Sequence, residues 1–173
     1  MAGEYLDKKI ENLDLIVFDL DFTLWPFHVE LERPPFKKQS NGQIVDGHGR
    51  KMTYFPDVPE VLQKLSSLGY QLAAASRTSA PKEGQQLVNL FGWSQYFDYL
   101  EIYPGCKVTH FNQFKKHSGI PFENMLFFDD ESRNIVDINK IGSVAILVKN
   151  GVNFDVIENG IKEFLSRKSK SNK

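Results

Sequence analysis

The stretch Leu15-Ile16-Val17-Phe18-Asp19-Leu20-Asp21-Phe22-Thr23 decides the fold that the sequence predicts. It begins as a short, uninterrupted apolar run and then changes abruptly to carboxylates and a hydroxyl. Apolar runs without polar alternation are typical of strands that are covered on both faces, as in parallel sheets. Similar runs recur at residues 72–75, 125–128 and 144–148, with a weaker one at 99–102. We therefore predict a sheet of five parallel strands.

Segments with helical spacing lie between these runs. The predicted helices cover residues 58–68, 81–91 and about 107–117, a segment after Asp130 that ends before Gly142, and a last helix that opens near the N-cap residue Asn153. Strands that alternate with helices indicate βαβ units. The predicted fold is α/β, with a parallel sheet and helices on both of its faces.

The composition limits the class of protein. The chain has 173 residues, of which 41% are hydrophobic and 25% charged, and its formal net charge is -1. These values predict one ordinary domain over residues 1–173 and exclude wholesale disorder or a nucleic-acid binder that relies on overall positive charge. The single cysteine, Cys106, excludes an internal disulfide and is typical of a reducing compartment. The apolar runs are too short for a membrane span. We expect an intracellular protein of the cytoplasm or nucleus, while its oligomeric state stays open.

Two segments do not follow the alternating pattern. Residues 25–55 are rich in proline and glycine, and the stretches 27–31 and 51–55 in them could be extended strands. We expect an exposed β-hairpin flap or an ordered loop there. The C-terminal segment, about 166–173, is polar and basic, and we expect a frayed, solvated tail.

Polar side chains follow four of the apolar runs, where the carboxyl ends of parallel strands meet at one edge of a sheet. In chain order they are Asp19, Asp21, Ser76, Arg77, Lys107, Asp129 and Asp130. Clustered carboxylates need a cation to neutralise them, and oxygen ligands without Cys or His favour Mg²⁺. Lysine, arginine and serine donate well to phosphate oxygens. The cluster therefore predicts metal-assisted phosphoryl transfer.

Each of these residues also has a simpler structural interpretation. An aspartate after a buried strand is most often a turn former or a helix cap. Asp129 and Asp130 can serve as an N-cap with favourable helix-dipole interactions. Ser76 can cap a turn, and Lys107 can be a solvated residue of a first helical turn. Their joint placement after successive strands is what favours an active site.

Four segments in register resemble the haloacid dehalogenase (HAD) superfamily of phosphatases, and within it the magnesium-dependent phosphatases. They are FDLDFTLWPF (18–27), AAASRTS (73–79), EIYPGCKVTHF (101–111) and FFDDESRNI (127–135). The resemblance covers about residues 15–148. It implies a HAD-like Rossmannoid fold and a Mg²⁺-dependent phosphomonoester hydrolase of the acid phosphatase type.

The resemblance implies catalytic roles for the first segment. Asp19 is the expected nucleophile, which forms an aspartyl-phosphate. Asp21 is the expected general acid and base, and its carboxyl must have a pKa raised relative to that of Asp19. Thr23 is expected to orient Asp21 by a hydrogen bond. His28 stands where an aromatic residue is expected near the substrate, so a substrate contact of its ring stays open.

The resemblance also implies how the phosphoryl group and the metal are held. The expected phosphate or substrate contacts are the backbone amides of Leu20 and Asp21 and the side chains of Ser76, Arg77 and Lys107. The expected Mg²⁺ ligands are the carboxylates of Asp19 and Asp129 and the backbone carbonyl of Asp21, supported by Asp130.

The spacing of the segments bears on substrate access. Many HAD relatives carry a cap domain after the first or second segment, whereas here the flap of about 25–55 is the only surplus. We expect a capless enzyme with an open site, which acts on phosphotyrosine proteins or on sugar phosphates. Two alternatives stay open: a receiver-like phosphoacceptor, and a non-catalytic interaction module. Receivers place the phosphorylated Asp on a later strand than the paired acids, unlike Asp19.

Overall fold

The computed structural model describes residues 3–171, in which strands and helices alternate. The strands are β1 (Leu15–Phe18), β2 (Lys37–Lys38), β3 (Ile44–Val45), β4 (Gln71–Ser76), β5 (Tyr99–Ile102), β6 (Met125–Asp129) and β7 (Val144–Leu147). The helices are α1 (Val58–Ser67), α2 (Pro81–Leu90), α3 (Lys107–Ser118), α4 (Ser132–Lys140) and α5 (Phe154–Ser171). Short 3₁₀ turns lie at Glu4–Leu6, Val29–Leu31, Trp93–Gln95 and Phe122–Asn124.

The central sheet has five strands in the order β5-β4-β1-β6-β7. Every neighbouring pair in it is parallel, as predicted. Leu15 of β1 lies opposite Gln71 of β4 on one side and Met125 of β6 on the other. Because β1 is the middle strand, the residues that follow it lie at the centre of the carboxyl edge of the sheet.

Both faces of the sheet are covered, which explains the continuous apolar runs. Ile16 and Phe18 face a layer formed by α1, α2 and α5, whereas Leu15 and Val17 face α3 and α4. The helix α5 lies especially close, since a Cβ added at Gly160 would be 2.5 Å from Cζ of Phe128. Burying one large apolar side chain stabilises the fold by about 1.5–3 kcal/mol. The two layers therefore hold the strand ends in fixed positions.

The flap differs in detail from the prediction. The stretch 27–31 ends in a 3₁₀ turn rather than a strand, and the antiparallel hairpin pairs β2 with β3. Of the stretch 51–55, only Lys51 makes a β-bridge, to Val45. The hairpin turn contains the Asn41-Gly42 pair, a strong hairpin signal that the segment's other prolines and glycines obscured.

The flap is also packed rather than merely exposed. Its buried apolar side chains are Trp25, Phe27, Val29, Phe36, Ile44, Val45 and Met52. Most of them join the larger apolar layer of the domain. Their burial fixes the segment against the body of the protein, while residues 37–43 at the tip of the hairpin are exposed, as expected.

The prediction of a frayed C-terminal tail is wrong for residues 166–171, which continue α5. Arg167 hydrogen-bonds to Asn139 of α4, and the Nζ of Lys168 donates to Oδ1 of Asn124 over 3.0 Å. These contacts order a segment whose composition alone is typical of a solvated tail. Residues 172–173 lie outside the described part of the chain.

Two further features concern access to the carboxyl edge of the sheet and the length of the helices. Among residues 3–171, the segment that separates β1 from α1 forms a small hairpin, not an added domain. None of the helices in this range has the length and apolar character needed to cross a membrane.

Candidate active site

Lys107 is the centre of the carboxylate cluster at the carboxyl edge of the sheet. Its Nζ lies 2.7 Å from Oδ1 of Asp19 and 2.6 Å from Oδ2 of Asp129. Asp19 follows β1, Asp129 ends β6, and Lys107 begins α3, so three separate elements supply the group. All three side chains are buried, and only 1% of the Lys107 side chain is exposed. A lysine is rarely buried to this extent unless it is paired.

The charges in this cluster do not balance. Carboxylate oxygens of Asp19, Asp129 and Asp130 lie within 4.8 Å of one another. Burial raises the pKa of Asp19, Lys107 opposes this, and Asp129 adds to it. Burial alone would lower the pKa of Lys107, but the two carboxylates outweigh it and raise that pKa.

Lys107 therefore pairs with two of the three clustered carboxylates, and the lysine alone does not neutralise the cluster. The available donors are oxygens only, which is the ligand set that hard divalent cations such as Mg²⁺ prefer. The donor chemistry and the excess charge of this site fit such an ion.

Asp21 is held by the flap through one of its carboxylate oxygens. Its Oδ1 accepts a hydrogen bond from Nε1 of Trp25 over 2.8 Å and from the backbone amide of Val29 over 3.1 Å. Trp25 is fully buried and stacks on Phe27 and on Trp93. The sequence reasoning missed both donors, although Trp25 follows Asp21 by only four positions in the same motif.

The expected hydrogen bond from Thr23 to Asp21 is not formed. Its hydroxyl donates to Oδ2 of Asp19 over 2.9 Å. The amides of Thr23 and Leu24 both bond to the carbonyl of Leu20, which closes a tight turn. This turn points the threonine hydroxyl back at Asp19, so Thr23 orients Asp19 instead of Asp21.

The environment of Asp21 favours its protonated form. Burial raises the pKa of Asp21 to about 6, although the hydrogen bonds from Trp25 and Val29 lower it. Glu30 adds to the increase. The Nδ1 of His28 lies 3.8 Å from Oδ2 of Asp21 and 4.0 Å from Oε1 of Glu30. A carboxyl with such a pKa can donate a proton under mildly acidic conditions.

A chain of hydrogen bonds links the second and fourth segments. The Nη1 of Arg77 donates to Oδ1 of Asn134 over 3.0 Å, and Nδ2 of Asn134 donates to Oδ2 of Asp129 over 2.9 Å. Ser76 ends β4 and is buried, with its hydroxyl accepting the amide of Thr78. Sequence reasoning missed Asn134, whose place in the first turn of α4, after the acidic pair, is the signal that points to it.

The cluster lines a cavity of about 110 Å³, which has room for a small anionic group and a few water molecules. The predicted site residues that line it are Asp19, Asp21, His28, Ser76, Arg77, Lys107 and Asp130. The lining residues to which the sequence assigned no role are Glu30, Thr78, Glu131, Arg133 and Asn134. The predicted site residues Asp129 and Leu20 do not line the cavity. Asp129 is buried and contacts the cavity residue Lys107, and the side chain of Leu20 lies in the core.

The buried side chain of His110 holds together the strand ends that carry the site. Its Nε2 lies 2.9 Å from the carbonyl oxygen of Ser76 and 2.8 Å from that of Tyr103, while its ring stacks on Tyr103. Burial lowers the pKa of His110. The ring therefore ties the ends of β4 and β5 to α3, one turn after Lys107.

Comparisons with known proteins agree with this geometry. The model of the family described as Acid Phosphatase matches residues 12–167. Magnesium-dependent phosphatase 1 of Homo sapiens is 50% identical over 87% of this chain and 86% of its own length. A HAD-like hydrolase superfamily protein of Schizosaccharomyces pombe is 36% identical over 84% of this chain and 92% of its own length.

Solved structures show the same fold at low sequence identity. A haloacid dehalogenase-like hydrolase from Streptococcus pneumoniae has a TM-score of 0.61 at 13% identity and covers 86% of this chain and 91% of its own. The phosphatase domain of a Bacteroides fragilis protein, in complex with Mg, has a TM-score of 0.62 at 16% identity and covers 81% of this chain and 37% of its own. The chain therefore belongs to the acid phosphatase family of the haloacid dehalogenase superfamily.

Proposed function

We propose that this protein is a Mg²⁺-dependent phosphomonoester hydrolase that works through an aspartyl-phosphate on Asp19. The observation that carries the proposal is the buried Lys107, which lies between Asp19 and Asp129 beneath a small polar cavity. Its human relative, 50% identical, is named a magnesium-dependent phosphatase. A nucleophilic carboxylate, Asp19, and a second carboxyl with a raised pKa, Asp21, supply the two roles that such a hydrolase needs.

The excess negative charge supports a metal site at this cluster. The Asp19 and Asp129 carboxylates and the backbone carbonyl of Asp21 would hold Mg²⁺, supported by Asp130. Mg²⁺ held there would neutralise carboxylate charge and polarise the phosphoryl oxygens. Thr23 and Lys107 then hold the Asp19 carboxylate in one orientation, since they bind its Oδ2 and its Oδ1.

In the first step, a carboxylate oxygen of Asp19 attacks phosphorus, and the bond from phosphorus to the ester oxygen breaks. Asp21 gives its proton to the leaving oxygen, so that an alcohol departs and Asp21 becomes a carboxylate. Ser76, Lys107 and the backbone amides of Leu20 and Asp21 bind the phosphoryl oxygens. Arg77 contributes a further positive charge at the same cavity.

In the second step, the Asp21 carboxylate takes a proton from water, whose oxygen attacks the phosphorus of the aspartyl-phosphate. The acyl phosphate bond breaks, inorganic phosphate leaves, and Asp19 returns as a carboxylate. The Asp21 carboxyl is protonated again and ready for the next substrate. The raised pKa of Asp21 suits both directions of proton transfer near neutral pH.

The substrate is a phosphorylated small molecule or a phosphoprotein, either a sugar phosphate or a phosphotyrosine protein. The open, capless edge supports both, since the cavity itself accommodates little more than the phosphoryl group. We keep the cytoplasm, or the nucleus, as the proposed location because the one cysteine, Cys106, is free and exposed.

The test is hydrolysis of p-nitrophenyl phosphate in Mg²⁺ and in EDTA by the wild type and by Asp19→Asn. We expect turnover only for the wild type with Mg²⁺. Acid-quenched protein from single-turnover reactions of Asp21→Asn should carry phosphate on Asp19, since this variant can form the intermediate but hydrolyses it slowly. Equal rates under all conditions would refute the mechanism. Stable phosphorylation of the wild type without turnover would indicate a receiver-like module instead.

A further inference from the structure

A second cavity lies beside the phosphate-sized one at the same edge of the sheet. We call it the side groove; it has a volume of about 520 Å³. Its lining residues are Phe22, Phe55, Asp130, Leu147, Val148, Lys149 and Asn150. Three of these side chains are large and apolar, and the only cation among them is Lys149.

The side groove presents apolar surface to water. Phe22 is 37% exposed and Leu147 is 40% exposed; Phe22 lies in the loop after β1, and Leu147 is the last residue of β7. A single exposed apolar side chain needs no explanation, but neighbouring ones in a concave site are typical of binding surfaces. The backbone of Phe22 has a φ of 57°, a left-handed conformation that bulky residues rarely adopt.

The walls of the side groove are fixed before any ligand binds. The amide of Val148 donates to the carbonyl of Asp129 over 2.8 Å, and the amide of Phe55 donates to that of Leu24 over 3.0 Å. Gly151, with a φ of 80°, packs so closely that an added Cβ would be 2.3 Å from Cγ of Phe55. A rigid groove spares a ligand the entropic penalty of ordering it.

The side groove is continuous with the phosphate cavity. Asp130 lines both cavities. The ring of Phe22 meets the ring of His28 edge-on at a centroid distance of 4.7 Å, and His28 lines the phosphate cavity. The side groove is therefore within reach of a ligand whose phosphate lies near Lys107, across Asp130 and Phe22.

We propose that the side groove binds the peptide segment next to a phosphorylated residue, with an apolar side chain on Phe22, Phe55 and Leu147 and a carboxylate at Lys149. This inference rests on the proposed phosphatase function and selects the phosphoprotein among its substrates. A sugar would place hydroxyls against apolar walls, where they lose hydrogen bonds to water without replacement. An exposed ion pair contributes little, so Lys149 supplies selectivity and the apolar contacts supply most of the affinity.

Three phosphotyrosine peptides test the proposal. They share one sequence but carry, beside the phosphotyrosine, a Leu/Glu pair, a Leu/Lys pair or a Ser/Glu pair. We measure kcat/KM for each, relative to p-nitrophenyl phosphate, with a hexose phosphate as a fourth substrate. For the wild type, the Leu/Glu peptide should exceed the Ser/Glu peptide about tenfold, as expected for partial burial of one leucine.

Two variants of the side groove should each change a different preference among the three peptides. Leu147→Gln should remove most of the advantage of leucine over serine. Lys149→Glu should reverse the choice between the Leu/Glu and Leu/Lys peptides, which a general loss of activity cannot do. Val136→Gln is the matched control, because Val136 is 51% exposed on α4 and lines neither cavity. It should keep the wild-type order.

Equal kcat/KM for the three peptides would overturn the proposal, as would a hexose phosphate that exceeds all of them. Both results leave the proposed function standing, because p-nitrophenyl phosphate is still hydrolysed. If that substrate is not hydrolysed, the proposed function fails, and fluorescence anisotropy of the same peptides on the Asp19→Asn variant decides the side groove separately. Tighter binding of the Leu/Glu peptide would support the groove, and equal binding would refute it.

Discussion

Trp25 donates its indole N–H to Oδ1 of Asp21 over 2.8 Å, so a buried aromatic side chain orients the carboxyl that we assign to proton transfer. The amide of Val29 binds the same oxygen. Both donors belong to the flap, which therefore takes part in the site as well as bordering it. The aromatic layer that holds Trp25 includes Trp93, whose Nε1 is buried without a hydrogen-bond partner among residues 3–171.

Trp25→Phe tests this relationship, since it keeps an aromatic ring and removes the N–H. We expect kcat to fall about tenfold with little change in KM, a part of the roughly 10²–10⁴-fold effect of general acid–base catalysis. Because the Trp25 hydrogen bond lowers the pKa of Asp21, the alkaline limb of kcat/KM should also move to higher pH. Trp93→Phe, which removes the unpartnered N–H of the same layer, is the control and should match the wild type. Identical pH profiles for all three proteins would exclude a role for Trp25 beyond packing.

The pH dependence of the wild type follows from Asp21. Burial raises the pKa of this carboxyl to about 6, and the first step needs its protonated form. With an alkyl phosphate, whose leaving oxygen must be protonated, kcat/KM should be highest below about pH 6 and fall as the pH rises through that value. Asp21→Asn should lack this limb. A wild-type profile that stays flat from pH 5 to 8 would contradict the assignment of Asp21 as the acid.

Replacing Lys107 should destabilise the fold as well as stop the chemistry. Lys107→Met leaves the buried Asp19 and Asp129 carboxylates without their counter-charge, which typically costs about 3–5 kcal/mol. Lys107 lowers the pKa of Asp19 against the effect of burial, so without the lysine the pKa of Asp19 in the folded state rises further above its value in the unfolded chain. The free energy of unfolding should therefore be least affected below about pH 4 and increasingly affected as the pH rises.

Urea unfolding at several pH values measures this effect. Lys116→Met, on the exposed face of the same helix, is the matched control and should stay within about 0.5 kcal/mol of the wild type. A loss of stability in Lys107→Met that is equal at low and neutral pH would show that packing, not charge, is responsible.

Mg²⁺ should stabilise the folded protein because it relieves repulsion among Asp19, Asp129 and Asp130. At 100 times Kd the gain is about 2.7 kcal/mol, which corresponds to a rise in Tm of about 5–10 °C for a chain of this size. Asp130→Asn should equal or exceed the Tm of the wild type without metal and show a smaller rise with it. Thermal unfolding with and without Mg²⁺ checks both values.

The exposed Asp7→Asn provides the control and should respond to Mg²⁺ as the wild type does. If Mg²⁺ leaves the wild-type Tm unchanged at every concentration, the carboxylate cluster is not a Mg²⁺ site. If Asp130→Asn is less stable than the wild type without metal, then Asp130 stabilises the fold and does not repel its neighbours.

Much of the arrangement could be predicted because it depends on periodic patterns. The apolar run before Asp19 predicts a doubly covered strand, and strand order then brings Lys107 and Asp129 to the same edge. The partner of Thr23 could not be predicted, since it depends on the direction of one turn closed by the Leu20 carbonyl. Side-chain direction in an irregular loop has no periodicity from which to infer it.

The flap and the end of α5 could not be predicted correctly from the sequence either. Short strands in a segment rich in proline and glycine carry few residues, so their alternation is hard to detect, and the hairpin uses Lys37–Lys38 and Ile44–Val45. The basic end of α5 is ordered by single contacts from Arg167 and Lys168 to distant asparagines. Contacts between residues far apart in sequence override local composition.

Those two contacts of α5 lie at the amino end of the sheet, since Asn124 precedes β6 and Asn139 lies near the end of α4. The carboxylates, the flap and the side groove all occupy the opposite edge. A fusion partner or a surface linkage attached through the end of α5 would thus hold the molecule with its reactive edge facing outward. The end of α5 and the proposed active site lie at opposite ends of the sheet. Immobilisation through α5 would therefore leave the active site accessible to substrates in an assay.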